Sequence, residues 1–153
     1  MAKGLPILAF LFAIPLVTEA AWRPDAKLLD AVCQIESSGG LSVYGDKGRS
    51  LGHFQFQKAA WSDVSEWRKK RNQPTYDYRQ NVFKHRISRL YAADYLTILH
   101  DRLKQQYKRE PTSAELYAAY NMGMNSFRKC NYNLAMVNKT TEARCKLLVA
   151  LIN

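Results

Sequence analysis

Leu28-Leu29-Asp30-Ala31-Val32-Cys33-Gln34-Ile35-Glu36-Ser37-Ser38-Gly39-Gly40 is the stretch on which the fold class turns. Leu28, Val32 and Ile35 recur at helical spacing with Ala31 beside them, so the segment reads as a helix with one apolar face. Pro24-Asp25 opens it, a proline and an acidic residue suited to a first turn. Two serines and a glycine pair close it. Glu36 stands four residues after Val32 and eight after Leu28. It therefore projects from the apolar face at the last turn, where a helix end can open into a cleft.

Downstream, residues 39–53 read as loop, with Gly45, Asp46, Gly48 and Gly52. Phe54-Gln55-Phe56-Gln57 alternates apolar and polar residues, too briefly to separate a strand from an extended loop. Helical spacing returns over Gln57 to about Arg71, through Trp61, Val64 and Trp67. Asn72 to Asn81 contains Pro74 and reads as a connection. A long helix is expected from about Val82 to Tyr107, carried by Ile87, Tyr91, Tyr95, Ile98 and Leu99. Thr112 and Glu115 have the spacing of a capping box, so a helix starts there and stops near Gly123. Thr140 or Thr141 caps a last helix with Ala143, Leu147, Leu148 and Leu151. The fold class is mainly α, with at most a small hairpin between Val43 and Phe56.

Upstream, Lys3 precedes an apolar run from Leu5 to Val17, and Thr18-Glu19-Ala20 ends in a small residue. That order reads as a secretory signal peptide over residues 1–20, cleaved after Ala20 or Ala21. A membrane anchor needs roughly 20 apolar residues, and this run is shorter and carries Pro6 and Pro15. One exported domain over residues 21–153 follows, periplasmic or secreted, with no stable membrane insertion once the signal is removed. The chain has 23 Lys and Arg against 13 Asp and Glu, a formal charge of +10, which suits an acidic surface polymer.

Cys33 sits in the apolar helical pattern and reads as a buried free thiol. In an oxidising compartment, Cys130 and Cys145 are the pair expected to form a disulfide. His53, His85 and His100 are scattered, and no metal-ligand spacing occurs. No cofactor or metal is expected.

A carboxylic acid donates a proton near neutral pH only if its pKa is raised, and desolvation raises it. Glu36 has that placement. Ile35-Glu36-Ser37-Ser38-Gly39 is followed by Ser50-Leu51-Gly52-His53-Phe54-Gln55 and later by Ala118-Ala119-Tyr120-Asn121-Met122-Gly123. This ordered set resembles the soluble lytic transglycosylases and goose-type lysozymes, over roughly Leu28 to Phe127. The resemblance implies a lysozyme-like helical domain that cuts the β-1,4 bond between N-acetylmuramic acid and N-acetylglucosamine in peptidoglycan glycan strands. It makes Glu36 the catalytic acid and base. It gives Gln55 a hydrogen bond to the sugar or its N-acetyl group. It sets Tyr120 and Asn121 across the cleft from Glu36. Ser37 either bonds Glu36 or helps end the helix. Ala92, Tyr95 and Leu96 resemble the family's G-x-x-Y-L helix with alanine for glycine, and Ser88 stands where asparagine is usual.

A second resemblance overlaps the first. Asp46-Lys47-Gly48, then Gly52-His53-Phe54-Gln55-Phe56-Gln57, then Trp61-Ser62-Asp63 are similar to invertebrate-type lysozymes. That comparison makes Asp46 a second catalytic carboxylate, although His53 replaces a usual proline and the family's dense cysteine framework is missing. Two chemistries follow. Lytic transglycosylation, in which the substrate's own C6 hydroxyl is the nucleophile, needs Glu36 alone and is favoured. Hydrolysis needs a second carboxylate, and Asp46 is the candidate. A wall-binding protein without catalysis on the same scaffold is a further alternative. Nucleic acid is not an expected partner: Lys69-Lys70-Arg71 and the arginines from Arg79 to Arg109 come without a groove-reading motif. Trp61, Trp67, Tyr76 and Tyr78 are either sugar platforms or core.

Overall fold

The computed structural model describes residues 21–153, so the expected signal peptide lies outside the described residues. Helix α1 spans Ala26–Ser37, and Asp25 caps it by accepting from the Leu28 amide. Its apolar side buries Leu28, Leu29, Ala31, Val32 and Cys33. Ser38 takes a left-handed conformation and ends the helix, followed by a short 3-10 turn over Ser38–Gly40. Strands β1 (Tyr44–Gly45) and β2 (Ser50–Leu51) pair antiparallel, Tyr44 with Leu51 and Gly45 with Ser50. The expected small hairpin is therefore present.

Helix α2 covers Lys58–Lys69 and a one-turn helix α3 covers Tyr78–Asn81. The stretch expected as plain connection thus contains a turn of helix, nucleated by Asp77 accepting from the Gln80 amide. The long helix α4 runs His85–Tyr107, starting three residues later than the apolar period suggests. Helix α5 is Ser113–Met122, and its Thr112–Glu115 capping box is formed in both directions. Helix α6, Met124–Lys129, continues after Gly123 with a change of direction; its six residues are too few to show a period. Helix α7 is Lys139–Ile152. Its cap is Asn138, which accepts from the Thr141 amide, so Thr140 and Thr141 lie inside the helix.

Helix α5 holds the centre. It packs on α4, α6 and α7, and α7 also packs on α1. Ala118 and Ala119 are fully buried and let these helices approach closely. Around them Val32, Leu96, Leu99, Leu103, Tyr117, Phe127 and Leu148 are sealed from solvent. Trp61 stacks on Tyr91 with ring centroids 3.8 Å apart and donates to the Tyr76 carbonyl, which makes Trp61 a core residue. Asp94, 1% exposed, is neutralised by Arg68 and by Arg23. These two ion pairs tie the chain before α1 to α2 and α4, and Trp22 stacked on His100 strengthens the tie.

The expected disulfide does not form. Cys33, Cys130 and Cys145 are all free thiols. Cys130 caps the end of α6, whereas Cys145 is buried in α7 with its Sγ 3.4 Å from the Ala114 carbonyl of α5. The helical phase of α7 turns Cys145 onto α5. Its thiol sits in apolar surroundings that push its pKa up to about 11. No helix among the described residues is long and apolar enough to cross a membrane.

Candidate active site

A cleft of about 890 Å³ opens between the hairpin with α2 on one side and the α5–α7 segment on the other. Glu36 lies at its inner end, with Asp46, Gln55, Tyr120, Asn121 and Arg144 also on the lining. The Glu36 side chain is only 7% exposed. It is placed there because α1 buries the same face that carries Val32 and Leu28.

Among the described residues, three groups approach the Glu36 carboxylate. The Tyr117 hydroxyl donates to Oε1 at 2.7 Å. The Asn121 Nδ2 faces the same oxygen at 3.4 Å. The Arg144 guanidinium stands 3.7 Å from Oε2. Thr141 fixes the asparagine by donating to its Oδ1 at 3.0 Å, which leaves the amide nitrogen turned toward Glu36. Burial pushes the Glu36 pKa up. The tyrosine bond, the arginine charge and the asparagine amide pull it back, and the Asp46 charge adds to the rise. The carboxyl stays above its ordinary value, so burial outweighs three partners.

The other expected site residues divide. Asn121 does meet Glu36. Tyr120 lines the cleft with its ring, but its hydroxyl donates to the Phe54 carbonyl at 2.7 Å and so ties α5 to the loop after the hairpin. Tyr117, one helical turn before Asn121, takes the bond to Glu36. Ser37 is buried, and its hydroxyl bonds the His53 carbonyl at 2.7 Å while accepting from the Gly40 amide. It ends α1 and clamps the hairpin loop rather than touching Glu36. Gln55 lines the cleft in a left-handed conformation, φ +49°. Its amide nitrogen donates to the Gly52 and Ser42 carbonyls at 2.9 and 3.2 Å. A Cβ on Gly45 would come within 2.0 Å of the Gln55 Oε1, so glycine at 45 makes room for that side chain. Asp46, exposed at φ +50°, accepts from Ser50 at 3.3 Å and Gln57 at 3.4 Å.

Tyr117 and Arg144 are the site residues that sequence reading missed. Tyr117 carries a signal in retrospect: it lies at i−4 from Asn121, on the same helix face. Arg144 carries only its i+3 spacing from Thr141. The substitution at Ser88 also has a structural trace: its hydroxyl is fully buried and unpaired among the described residues, as is Nδ1 of His53. His53 and His85 meet edge to face at 4.9 Å, but no group of metal-ligating side chains assembles among the described residues.

A search of protein families matches residues 15–141 to the transglycosylase SLT domain. No curated protein matches, and no solved structure does.

Proposed function

Because the chain belongs to the transglycosylase SLT domain family, whose members act on peptidoglycan, we propose that it is an exported lytic transglycosylase in which Glu36 is the catalytic acid and base. The bond cut is the β-1,4 link between N-acetylmuramic acid and N-acetylglucosamine. The observation that carries this reading is the buried Glu36 carboxyl, held above its ordinary pKa at the inner end of the cleft with Tyr117 and Asn121 on one oxygen.

The chemistry follows from that placement. Protonated Glu36 gives its proton to the leaving sugar oxygen as the C1–O bond breaks. The carboxylate left behind has Tyr117, Asn121 and Arg144 to stabilise it, so the same group can then act as base. It accepts the proton of the muramyl C6 hydroxyl as that oxygen bonds to C1, closing a 1,6-anhydro ring. The substrate supplies the nucleophile and no water enters. Asn121, oriented by Thr141, is suited to hold an acetamido group beside the reacting carbon. The basic chain, with its +10 formal charge, is drawn to an acidic wall polymer.

Hydrolysis by Glu36 with Asp46 is the second reading. The observation favouring it is that Asp46 lines the same cleft and its charge reaches Glu36. Against it, Asp46 is exposed and bonded to Ser50 and Gln57 on its own loop. Digestion of purified peptidoglycan followed by mass spectrometry decides the matter. Anhydro-muropeptides support transglycosylation. Reducing ends, one water heavier, support hydrolysis. No released product overturns both.

A further inference from the structure

Arg144 is a poor neighbour for a catalytic acid. Its guanidinium carries a permanent charge, lies 3.7 Å from the Glu36 carboxylate, and opposes the protonated state that acid catalysis needs. A structural role explains it weakly. The contact is longer than a hydrogen bond, and the Arg144 side chain remains 39% exposed on the cleft wall. A guanidinium has five donors. Among the described residues Glu36 and the Tyr117 hydroxyl are its partners, which leaves donors for a ligand.

The charge layout of the cleft says what that ligand carries. Asp46 and Asp63 line the side formed by the hairpin and α2, where Arg102 of α4 also lines the cleft and its charge acts on Tyr95 together with that of Asp63; Arg144 lines the α7 side and is the cation beside Glu36. Beside Glu36 the fixed charge that attracts an anionic substituent is therefore Arg144. Asn125, Asn138 and Thr140 line the same cleft as Arg144 and supply neutral hydrogen-bonding groups. We propose that Arg144 is a substrate-recognition residue that binds a carboxylate on the muramoyl side of the glycan, next to the bond facing Glu36. The inference rests on the peptidoglycan reading and deepens it. Occupation of Arg144 by a carboxylate also cancels the cation beside Glu36, so recognition and the protonated acid support one another.

Two sources of carboxylate have this chemistry: the lactyl group of a peptide-stripped muramoyl residue and the stem peptide of an intact one. Binding, read without turnover, separates them. The Glu36→Gln protein is titrated with peptide-stripped oligomers, peptide-bearing oligomers, peptide-bearing oligomers with amidated carboxyls, and N-acetylglucosamine oligomers, which have no carboxylate. Charge-assisted hydrogen bonds predict about ten-fold or tighter binding of a carboxylate-bearing oligomer over the neutral ones, shrinking with salt. Adding Arg144→Gln brings that ratio close to one, and Arg144→Lys keeps part of it. The tighter of the stripped and peptide-bearing arms identifies the source. Equal affinity for charged and neutral oligomers overturns the inference, as does a ratio unmoved by Arg144→Gln in a protein with an unchanged melting temperature. Binding without discrimination leaves the peptidoglycan reading standing, whereas no glycan binding at all removes both.

Discussion

Glu36 and Asp46 line one cleft with the same functional group, yet they belong to two differently built regions. Glu36 ends a packed helix, is nearly sealed from solvent and is met by residues from α5 and α7, up to 108 positions away in the chain. Asp46 rides on a turn where Asp46, Lys47 and Gly48 all take positive φ, and its hydrogen bonds stay within its own loop, with Ser50 and Gln57. Burial, not the carboxyl itself, separates the two: it raises the pKa of Glu36, whereas the Asp46 side chain faces solvent.

The strongest way to break the comparison is Glu36→Gln. The change keeps the shape and removes the proton. Release of anhydro-muropeptides should fall by at least about 10²–10⁴-fold, the usual worth of general acid help. The variant should still melt cooperatively. Turnover retained in a well-folded preparation would transfer the catalytic role elsewhere.

The hairpin that carries Asp46 is seated at Gly52 against Val82, the cap of α3. The φ of Gly52 is +78°, and a Cβ there would lie 2.1 Å from the Val82 carbonyl oxygen. Gly52→Ala should cost about 2–3 kcal/mol in denaturant unfolding, combining left-handed strain with a backbone clash. A loss under about 0.5 kcal/mol, the range of an ordinary surface substitution, would mean the hairpin is not seated against Val82 at the end of α3.

Tyr117→Phe sharpens the account of Glu36. The phenol bond lowers a pKa that burial raises, so removing it moves that pKa further up. A raised folded-state pKa means the Glu36 contribution to stability is fully present below the unfolded value. It is lost as pH rises through the folded one. In the variant that loss should extend to higher pH, with a cost of about 1–3 kcal/mol near neutrality for a buried carboxylate stripped of a partner. The alkaline limb of kcat/KM should move the same way. A limb that stays put or moves down would show that the phenol does not act on Glu36.

The smallest effect belongs to Asp46→Asn. Its stability change should stay within about 0.5 kcal/mol, as for other exposed positions. Anhydro-product formation should change less than about three-fold, well below a general-acid effect. A loss of several orders of magnitude, with reducing-end products in the parent protein, would erase the distinction between the two carboxylates and establish the hydrolytic reading.

Much of this was legible in the residues. The 3.6-residue period marked α1, α2, α4, α5 and α7, and the Thr112–Glu115 capping box forms as its spacing requires. Short pieces escaped because α3 and α6 have too few residues to carry a period. In the site, Glu36 stood out because it interrupts an apolar face. Tyr117 did not, since a tyrosine among Leu116, Ala118 and Ala119 reads as core. Tyr120 drew attention through its motif, but its hydroxyl serves the Phe54 carbonyl. The disulfide expectation failed because sequence spacing shows how long a loop is and not which way a buried thiol faces.

The sequence by itself determined the helical class, the family, the capping box that opens α5 and the place of Glu36 at the end of α1. These depend on periodicity, capping and motifs, all of which act over a few residues. Only the tertiary structure decided which groups meet that acid. Tyr117, Asn121 and Arg144 reach Glu36 because α5 packs on α7 and α7 on α1. The pKa of a carboxyl is set by whatever lies within a few ångströms of it, however distant along the chain.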